Sequence, residues 1–302
     1  MGDIERGARA DAMPGRRSTP RPTFDAAAII RRRDTAHHVW GDTESGLVTD
    51  RVYVSSSALH VLEFQLEPGG AFRHSATNKT VFAADVMYCV LEGELVLADP
   101  QHGEVRVVRE GEQVLFRRDT WHHGFNPSPR SLRVLEFFAP PPSMGTASQY
   151  ARNQATLEEV HYRDERWSGR WPEARDERQG TTRLDVLCAD DAVWGFVGES
   201  PTHLAGLLTD TEHLTVTAGR VYAGHVEDAR KVEHESLLVV TAGEVWVDVQ
   251  ESDGDGYATD CLLAGDAVYV PAHSTMRVLS RSSEPATYLM GAGRPVPPGW
   301  SP

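Results

Sequence analysis

The chain has 302 residues, 40% of them hydrophobic and 25% charged, as in ordinary globular proteins. Its length suffices for two domains of roughly 100–150 residues each. The net charge of −14 argues against nucleic acid or an anionic membrane as the main partner, because both select for a basic surface. No apolar run approaches the ~20 residues that span a bilayer, and no signal peptide is recognisable. We therefore expect a cytoplasmic protein whose three scattered cysteines are free thiols.

The N-terminal segment, residues 1–35, predicts a disordered tail followed by a short helix. Residues 1–22 are rich in Gly, Arg, Ala and Pro and show no periodicity. Residues 24–33 (FDAAAIIRRR) contain strong helix formers and end in arginines, which suit the C-terminal end of a helix dipole. We expect this helix to pack on the outside of the first domain.

From residue 46 onward the pattern is one of short β-rich runs separated by Gly, Pro and Asp turns. Such a pattern indicates an all-β sandwich or barrel rather than βαβ units. In residues 59–66 (LHVLEFQL), alternation places His60, Leu62, Phe64 and Leu66 on one face of a strand. We expect this face, including His60, to point into the barrel.

The most informative stretch is residues 111–126 (GEQVLFRRDTWHHGFN), a turn, a short strand, a second turn and a strand with histidine. Residues 88–97 (YCVLEGELVL) form a hairpin upstream, around Gly93. The spacing of Gly111, His122 and Asn126 resembles the second motif of the cupin superfamily, and Gly93 matches the turn glycine of the first motif. This sequence has Arg117 and Asp119 where the family usually has proline and glycine.

The second half of the chain repeats the first in outline. Residues 237–247 (LLVVTAGEVWV) correspond to the hairpin around Gly93, with Gly243 in its place, and residues 265–271 repeat the Gly111 turn. The chain thus resembles a bicupin, which implies two cupin-type antiparallel β-barrels of the jelly-roll type with short helices and a charged linker. We predict the N-terminal barrel at residues 36–142, the linker at 143–181 and the C-terminal barrel at 182–298.

The resemblance implies a metal site inside the first barrel. His122 is the best candidate ligand, and His74 is the histidine in the neighbourhood of the first motif. Asp85 stands one residue from the position of the family's glutamate, so it needs a β-bulge to face inward. His60 completes a three-histidine alternative. A histidine that only hydrogen-bonds inside the barrel, or a carboxylate on the surface, explains the same residues without a metal.

Other residues of the first barrel are candidates for substrate contacts. Tyr88 is the candidate catalytic acid, with a core tyrosine as the alternative. Phe64, Trp121 and Asn126 are the candidate substrate-binding residues. In the second barrel Met276 stands where the first has His122, so we expect no metal there. That barrel would be a structural or dimerisation half, and the chain would form a homodimer.

A histidine-rich, carboxylate-poor site suits iron(II), with Mn, Ni and Zn as alternatives, better than Mg or Ca. We therefore expect an oxygenase or dioxygenase acting on a small oxygen-rich organic substrate. The alternatives are a cupin isomerase or hydrolase, and a degenerate metal-free cupin that binds a small molecule without catalysis. The fold alone does not decide between them.

Overall fold

The computed structural model describes residues 19–142, 149–163, 182–197, 203–250 and 257–295. Antiparallel β-strands dominate these residues, and the short helices are Arg32–Asp34, Gln149–Asn153 and Ala189–Asp191. No helix in these ranges is long and apolar enough to cross a membrane. Most of the predicted linker, residues 143–148 and 164–181, lies outside the described residues.

The first barrel consists of a seven-stranded sheet facing a four-stranded sheet. The large sheet contains, in spatial order, Asp185–Leu187, Gln113–Phe116, Asp85–Glu92, Leu132–Ala139, His60–Leu66, Gly46–Ser55 and Ala36–Asp42. The small sheet contains Ala71–Phe72, His123–Phe125, Glu94–Asp99 and Glu104–Arg109. A cluster of buried apolar side chains fills the space between the two sheets.

The second barrel has the same strand order, which confirms the predicted duplication. Its large sheet contains Ala28–Ile30, Ala267–Val270, Ser236–Ala242, Ala286–Gly293, Leu214–Val221, His203–Asp210 and Val193–Phe196. Its small sheet contains Arg230–Lys231, Thr275–Leu279, Glu244–Gln250 and Tyr257–Leu263. The chain is therefore a pair of antiparallel β-barrels, as the sequence predicts.

Each barrel receives one edge strand from the segment that precedes the other. Ala28–Ile30 pairs with Ala267–Val270 of the second barrel, and Asp185–Leu187 pairs with Gln113–Phe116 of the first. The predicted helix at residues 24–33 is therefore wrong. The segment contacts both barrels, since Ala28–Ile30 pairs with the second while Arg32 forms an ion pair with Glu63 of the first. The open edge of the second sheet and the burial of Ile30 in the core between the barrels outweigh local helix propensity.

The outer faces of the two large sheets pack against each other to form a core between the barrels. Phe137 and Leu135 of the first barrel lie in the same buried cluster as Leu237 and Val239 of the second. The hydroxyl of Tyr53 donates a hydrogen bond to the carbonyl of Gly265 at 2.8 Å. This continuous apolar core holds the two barrels together.

Two turns adopt a left-handed backbone without glycine. Asp119 and His273, at corresponding turns of the two barrels, both have φ of 67°. The cupin pattern has glycine at this position, and only glycine adopts this conformation without steric cost. The turns thus keep the backbone geometry expected of the motif although the residue type has changed.

Candidate metal centre and ligand cavity

The interior of the first barrel contains a largely aromatic cavity. As predicted from alternation, His60, Leu62 and Phe64 point into it from one strand. Tyr88 and His122 also line the cavity. The remaining lining side chains are Trp40, Val48, Asp50, Phe72, Thr80, Phe82, Glu136, Phe138 and Pro142.

His122 is buried among aromatic rings. Its ring centroid lies 4.6 Å from that of Phe116 and 4.9 Å from that of Phe82. Its Nδ1 atom lies 3.2 Å from the carbonyl of Thr120, which leaves Nε2 as the acceptor nitrogen when Nδ1 carries the proton. Burial lowers the pKa of His122 to about 4, so the imidazole is neutral at pH 7. A neutral imidazole in this position can bind a metal or accept a hydrogen bond.

His60 is the most isolated polar group of the cavity. It is 1% exposed, and neither ring nitrogen has a hydrogen-bond partner within the described residues. Burial lowers its pKa to about 3. Its ring contacts Phe138, which contacts Phe82, which in turn contacts His122, with centroid separations of 6.2, 4.7 and 4.9 Å. Within the described residues, neither His60 nor His122 belongs to a group of three or more converging metal-ligating side chains.

His74 and Asp85, the other predicted ligands, have different partners. Nδ1 of His74 lies 2.7 Å from Nε2 of His123, and the His74 ring packs on Trp121. The Asp85 carboxylate accepts a hydrogen bond from Arg117 at 2.6 Å. Neither residue lines the cavity. The structure thus does not bring His60, His74, Asp85 and His122 together, because other side chains engage two of them.

Two of the predicted substrate-binding residues also lie away from the cavity lining. Trp121 belongs to a separate small apolar cluster with Val81 and Ala151. The amide of Asn126 donates to the carbonyls of Leu66, Glu67 and Arg130 at 3.1, 3.1 and 2.7 Å. Asn126 therefore organises turns at the end of the barrel. Of the three predicted substrate-binding residues, Phe64 lines the cavity, and so does Tyr88, the candidate catalytic acid.

The cavity contains two acidic residues that the sequence did not single out, Asp50 and Glu136. They are 3% and 8% exposed. Burial, followed by the charge of Asp50, raises the pKa of Glu136 to about 8, and burial raises that of Asp50 well above its usual value. A carboxyl group with a raised pKa keeps its proton to a higher pH than an exposed one, and a bound cation opposes this shift. Asp50 and Glu136 were missed from the sequence because the other residues of their strands follow the pattern of ordinary core strands.

The second barrel contains a compact set of metal-ligating side chains, His203, His225 and Glu227. One ligand atom from each lies within 4.8 Å of the others, and the residues are 0%, 0% and 2% exposed. Among the described residues this is the one group of three or more such side chains that converge in this way. This candidate site was not expected, because the sequence predicted no metal in the second barrel.

A tyrosine fixes the orientation of His203. The Tyr288 hydroxyl lies 2.9 Å from Nε2 of His203, while the buried Nδ1 atom has no hydrogen-bond partner among the described residues. The Tyr288 ring crosses over Gly219, where a Cβ atom would lie 2.2 Å from the ring. Nδ1 is therefore the nitrogen that His203 offers to a metal.

Glu227 is held by the neighbouring backbone and by an arginine. Its Oε2 atom accepts a hydrogen bond from the amide of Val278 at 3.0 Å, and Oε1 lies 3.2 Å from Nε of Arg230. Burial raises the pKa of Glu227, and Arg230 opposes that shift. A bound cation would favour the ionised carboxylate further. The site thus offers two imidazoles and one carboxylate, a set that suits a divalent transition metal.

The sequence contained one signal for this centre. His225 and Glu227 are separated by one residue, which is the spacing of the paired ligands in the first cupin motif, with glutamate in place of the second histidine. His203 carries no such signal, because it comes from another strand and is brought close by its pairing with Val221. The position of the usual last ligand is occupied by the buried, apolar Met276.

Two duplicated jelly-roll barrels in one chain define the bicupin fold. No protein-family model matches the sequence, and no curated protein matches it. Solved structures do match, and they include AerE from Microcystis aeruginosa, oxalate decarboxylase from Lactobacillus farciminis and procruciferin, an 11S globulin from Brassica napus.

The structural similarity extends over most of the chain. AerE is 11% identical, with a TM-score of 0.56, covering 86% of this chain and 98% of its own. The decarboxylase is 11% identical, with a TM-score of 0.62, covering 92% and 88%. Procruciferin is 12% identical, with a TM-score of 0.58, covering 89% and 85%. An enzyme and a globulin share the fold, so the function must be argued from the site.

Proposed function

We propose that this protein is a metal-dependent bicupin enzyme whose metal is bound in the second barrel by His203, His225 and Glu227. The observation that carries the proposal is the convergence of these three buried side chains within 4.8 Å. Two histidines and one carboxylate with open positions are the ligand set of non-haem iron(II) oxygenases. We therefore propose iron(II) as the metal and a small oxygen-rich organic molecule as the substrate.

The residues of this chain have separate roles in the proposed site. His203, held at Nε2 by Tyr288, presents Nδ1 to the metal. The Val278 amide and Arg230 hold the two carboxylate oxygens of Glu227 and so fix the carboxylate beside the two histidines. Val221, Met276 and Met290 belong to the buried apolar cluster of the same barrel, and an apolar interior limits the access of water to a bound metal. Bound iron(II) would supply open coordination positions for dioxygen and a substrate oxygen.

The experiment is anaerobic loading of the full chain with iron(II), followed by addition of nitric oxide and electron paramagnetic resonance. A metal with an open position gives the high-spin iron–nitrosyl signal. We expect that signal in the unmodified protein and its loss in His225→Ala and Glu227→Gln. Oxygen uptake is then screened with small hydroxy and keto acids. Retention of the signal in both variants would overturn the proposed centre.

The alternative is a binding protein that uses the first barrel and no metal. The aromatic cavity favours this function, as does His60, which has no hydrogen-bond partner in the part of the chain that the structure describes. Absence of an iron–nitrosyl signal in the unmodified protein, together with small-molecule binding in the first barrel, would favour the alternative.

A further inference from the structure

The cavity of the first barrel is lined mainly by apolar side chains, with polar groups at a few points. One of them is His60, which is 1% exposed and whose two ring nitrogens have no hydrogen-bond partner within the described residues. Asp50 and Glu136 line it as well, and no positively charged group offsets the burial of either carboxyl group within the described residues. Buried polar groups of folded proteins are normally satisfied. The His60 imidazole and the hydroxyl of Thr80, which also lines the cavity, have no hydrogen-bond partner within the described residues. These atoms point to a ligand that supplies the missing partners.

The signs of the available charges restrict that ligand. No lysine or arginine is among the described side chains that line the cavity. A carboxylate or phosphate ligand would therefore lie beside two carboxyl groups and no positive charge. No interaction would offset the free energy that such an anion loses when it leaves water. A cation with several N–H donors finds acceptors on every titratable group that faces the cavity. These groups are Asp50, Glu136, His60, His122 and Tyr88.

The apolar part of the lining favours the same charge. Trp40, Phe64, Phe82 and Phe138 present aromatic rings to the cavity. Aromatic faces attract ammonium groups, most strongly where water is excluded. Two carboxyl groups inside an aromatic wall are thus complementary to an organic cation with a short apolar tail.

We propose that the first barrel binds a small organic ammonium ion, with its nitrogen between Asp50 and Glu136 and its carbon atoms against the aromatic wall. This site is separate from the metal centre and does not depend on it. The cavity volume is about 60 Å³, and one water molecule needs about 10–15 Å³ on the same measure. A ligand of roughly four non-hydrogen atoms therefore fits.

The experiment is isothermal titration of the chelator-treated full chain with n-propylammonium, n-propanol and propionate, which are similar in size but differ in charge. We expect n-propylammonium to bind at least tenfold more tightly than either of the others. We expect Glu136→Gln, which keeps the shape of the side chain, to weaken its binding at least tenfold. The exposed Glu158 offers the control Glu158→Gln, which should bind as the unmodified chain does.

Three results would overturn the proposal. They are equal or tighter binding of propionate, unchanged ammonium affinity in Glu136→Gln, and absence of any binding of n-propylammonium. A parallel titration with zinc tests whether the cavity is a metal site instead. Zinc binding that requires Glu136, without any binding of n-propylammonium, would show a metal site and contradict the proposal. Since chelator-treated protein is used, failure of the proposed iron centre leaves this test unaffected.

Discussion

The hydroxyl of Tyr288 lies 2.9 Å from Nε2 of His203, and this contact directs the opposite ring nitrogen toward His225 and Glu227. Hydrogen bonds of this kind set the tautomer and the orientation of a metal-binding imidazole, and their loss typically lowers metal affinity 10–100-fold. We therefore expect Tyr288→Phe to weaken iron(II) binding by about that factor, measured by competition with a chromophoric chelator. Tyr222→Phe, at an exposed tyrosine of the same barrel, is the control. Equal affinities of the two variants would show that Tyr288 does not position His203.

Gly219 provides the space that the Tyr288 ring needs. A Cβ atom at this position would lie 2.2 Å from that ring, whereas a Cβ atom at Gly195 meets nothing within 4 Å. We expect Gly219→Ala to displace Tyr288, to lower the free energy of unfolding by roughly 1–3 kcal/mol and to weaken metal binding as well. Gly195→Ala should leave both unchanged or slightly increase stability. Urea unfolding and the chelator competition measure the two effects, and indistinguishable behaviour of the variants would refute the packing argument.

Glu136 makes the stability of the protein depend on pH. Burial raises its pKa in the folded protein to about 8, above its value in the unfolded chain of about 4.3. Between these pH values the folded state binds the extra proton, so the free energy of unfolding decreases as pH rises through this window and levels off above pH 8. Replacement by glutamine removes the titrating group.

We therefore expect Glu136→Gln to be more stable than the unmodified chain at pH 8, by an amount on the order of 5 kcal/mol at most. The advantage should shrink toward pH 5. Thermal unfolding at several pH values measures it, with Glu158→Gln as the control that keeps the pH profile of the unmodified chain. An advantage that does not change with pH would mean that Glu136 titrates normally.

Asp119 and His273 share a left-handed backbone with φ of 67°. Glycine adopts this conformation without strain, although it also loses more conformational entropy on folding. We expect His273→Gly to raise the free energy of unfolding by roughly 0.5–1 kcal/mol. Asp119→Gly should change it less, because aspartate tolerates this region better than most residues. A lower free energy of unfolding in His273→Gly would contradict the strain argument. It would indicate that the 3.8 Å contact between His273 and Glu233 stabilises the fold by more than the strain costs.

The fold was predictable because its signals are local. Alternation along residues 60–66 identified the inward face of a strand, and the turn glycines Gly93 and Gly243 marked the duplication. Both glycines have positive φ, of 86° and 74°. The strand Ala28–Ile30 was not predictable, since its conformation is set by pairing with residues more than 230 positions away. Local propensity contains no information about such a partner.

The candidate site was predicted less well, because ligand sets depend on contacts between distant residues. Asp85 is engaged by Arg117 and His74 by His123, two partners that spacing alone does not reveal. His203 joins His225 only through the pairing of neighbouring strands. The pair His225 and Glu227 was visible in the sequence, but the buried Met276 at the usual ligand position suggested that the second barrel binds no metal.

The most direct test of the central claim is the metal content of the chain and three variants after anaerobic iron(II) loading and desalting. We expect about one iron ion per chain in the unmodified protein and in His122→Ala. We expect little iron in His225→Ala and Glu227→Gln, with folding verified by circular dichroism. Loss of iron in His122→Ala, with iron retained in both second-barrel variants, would contradict this expectation and show that the metal binds in the first barrel.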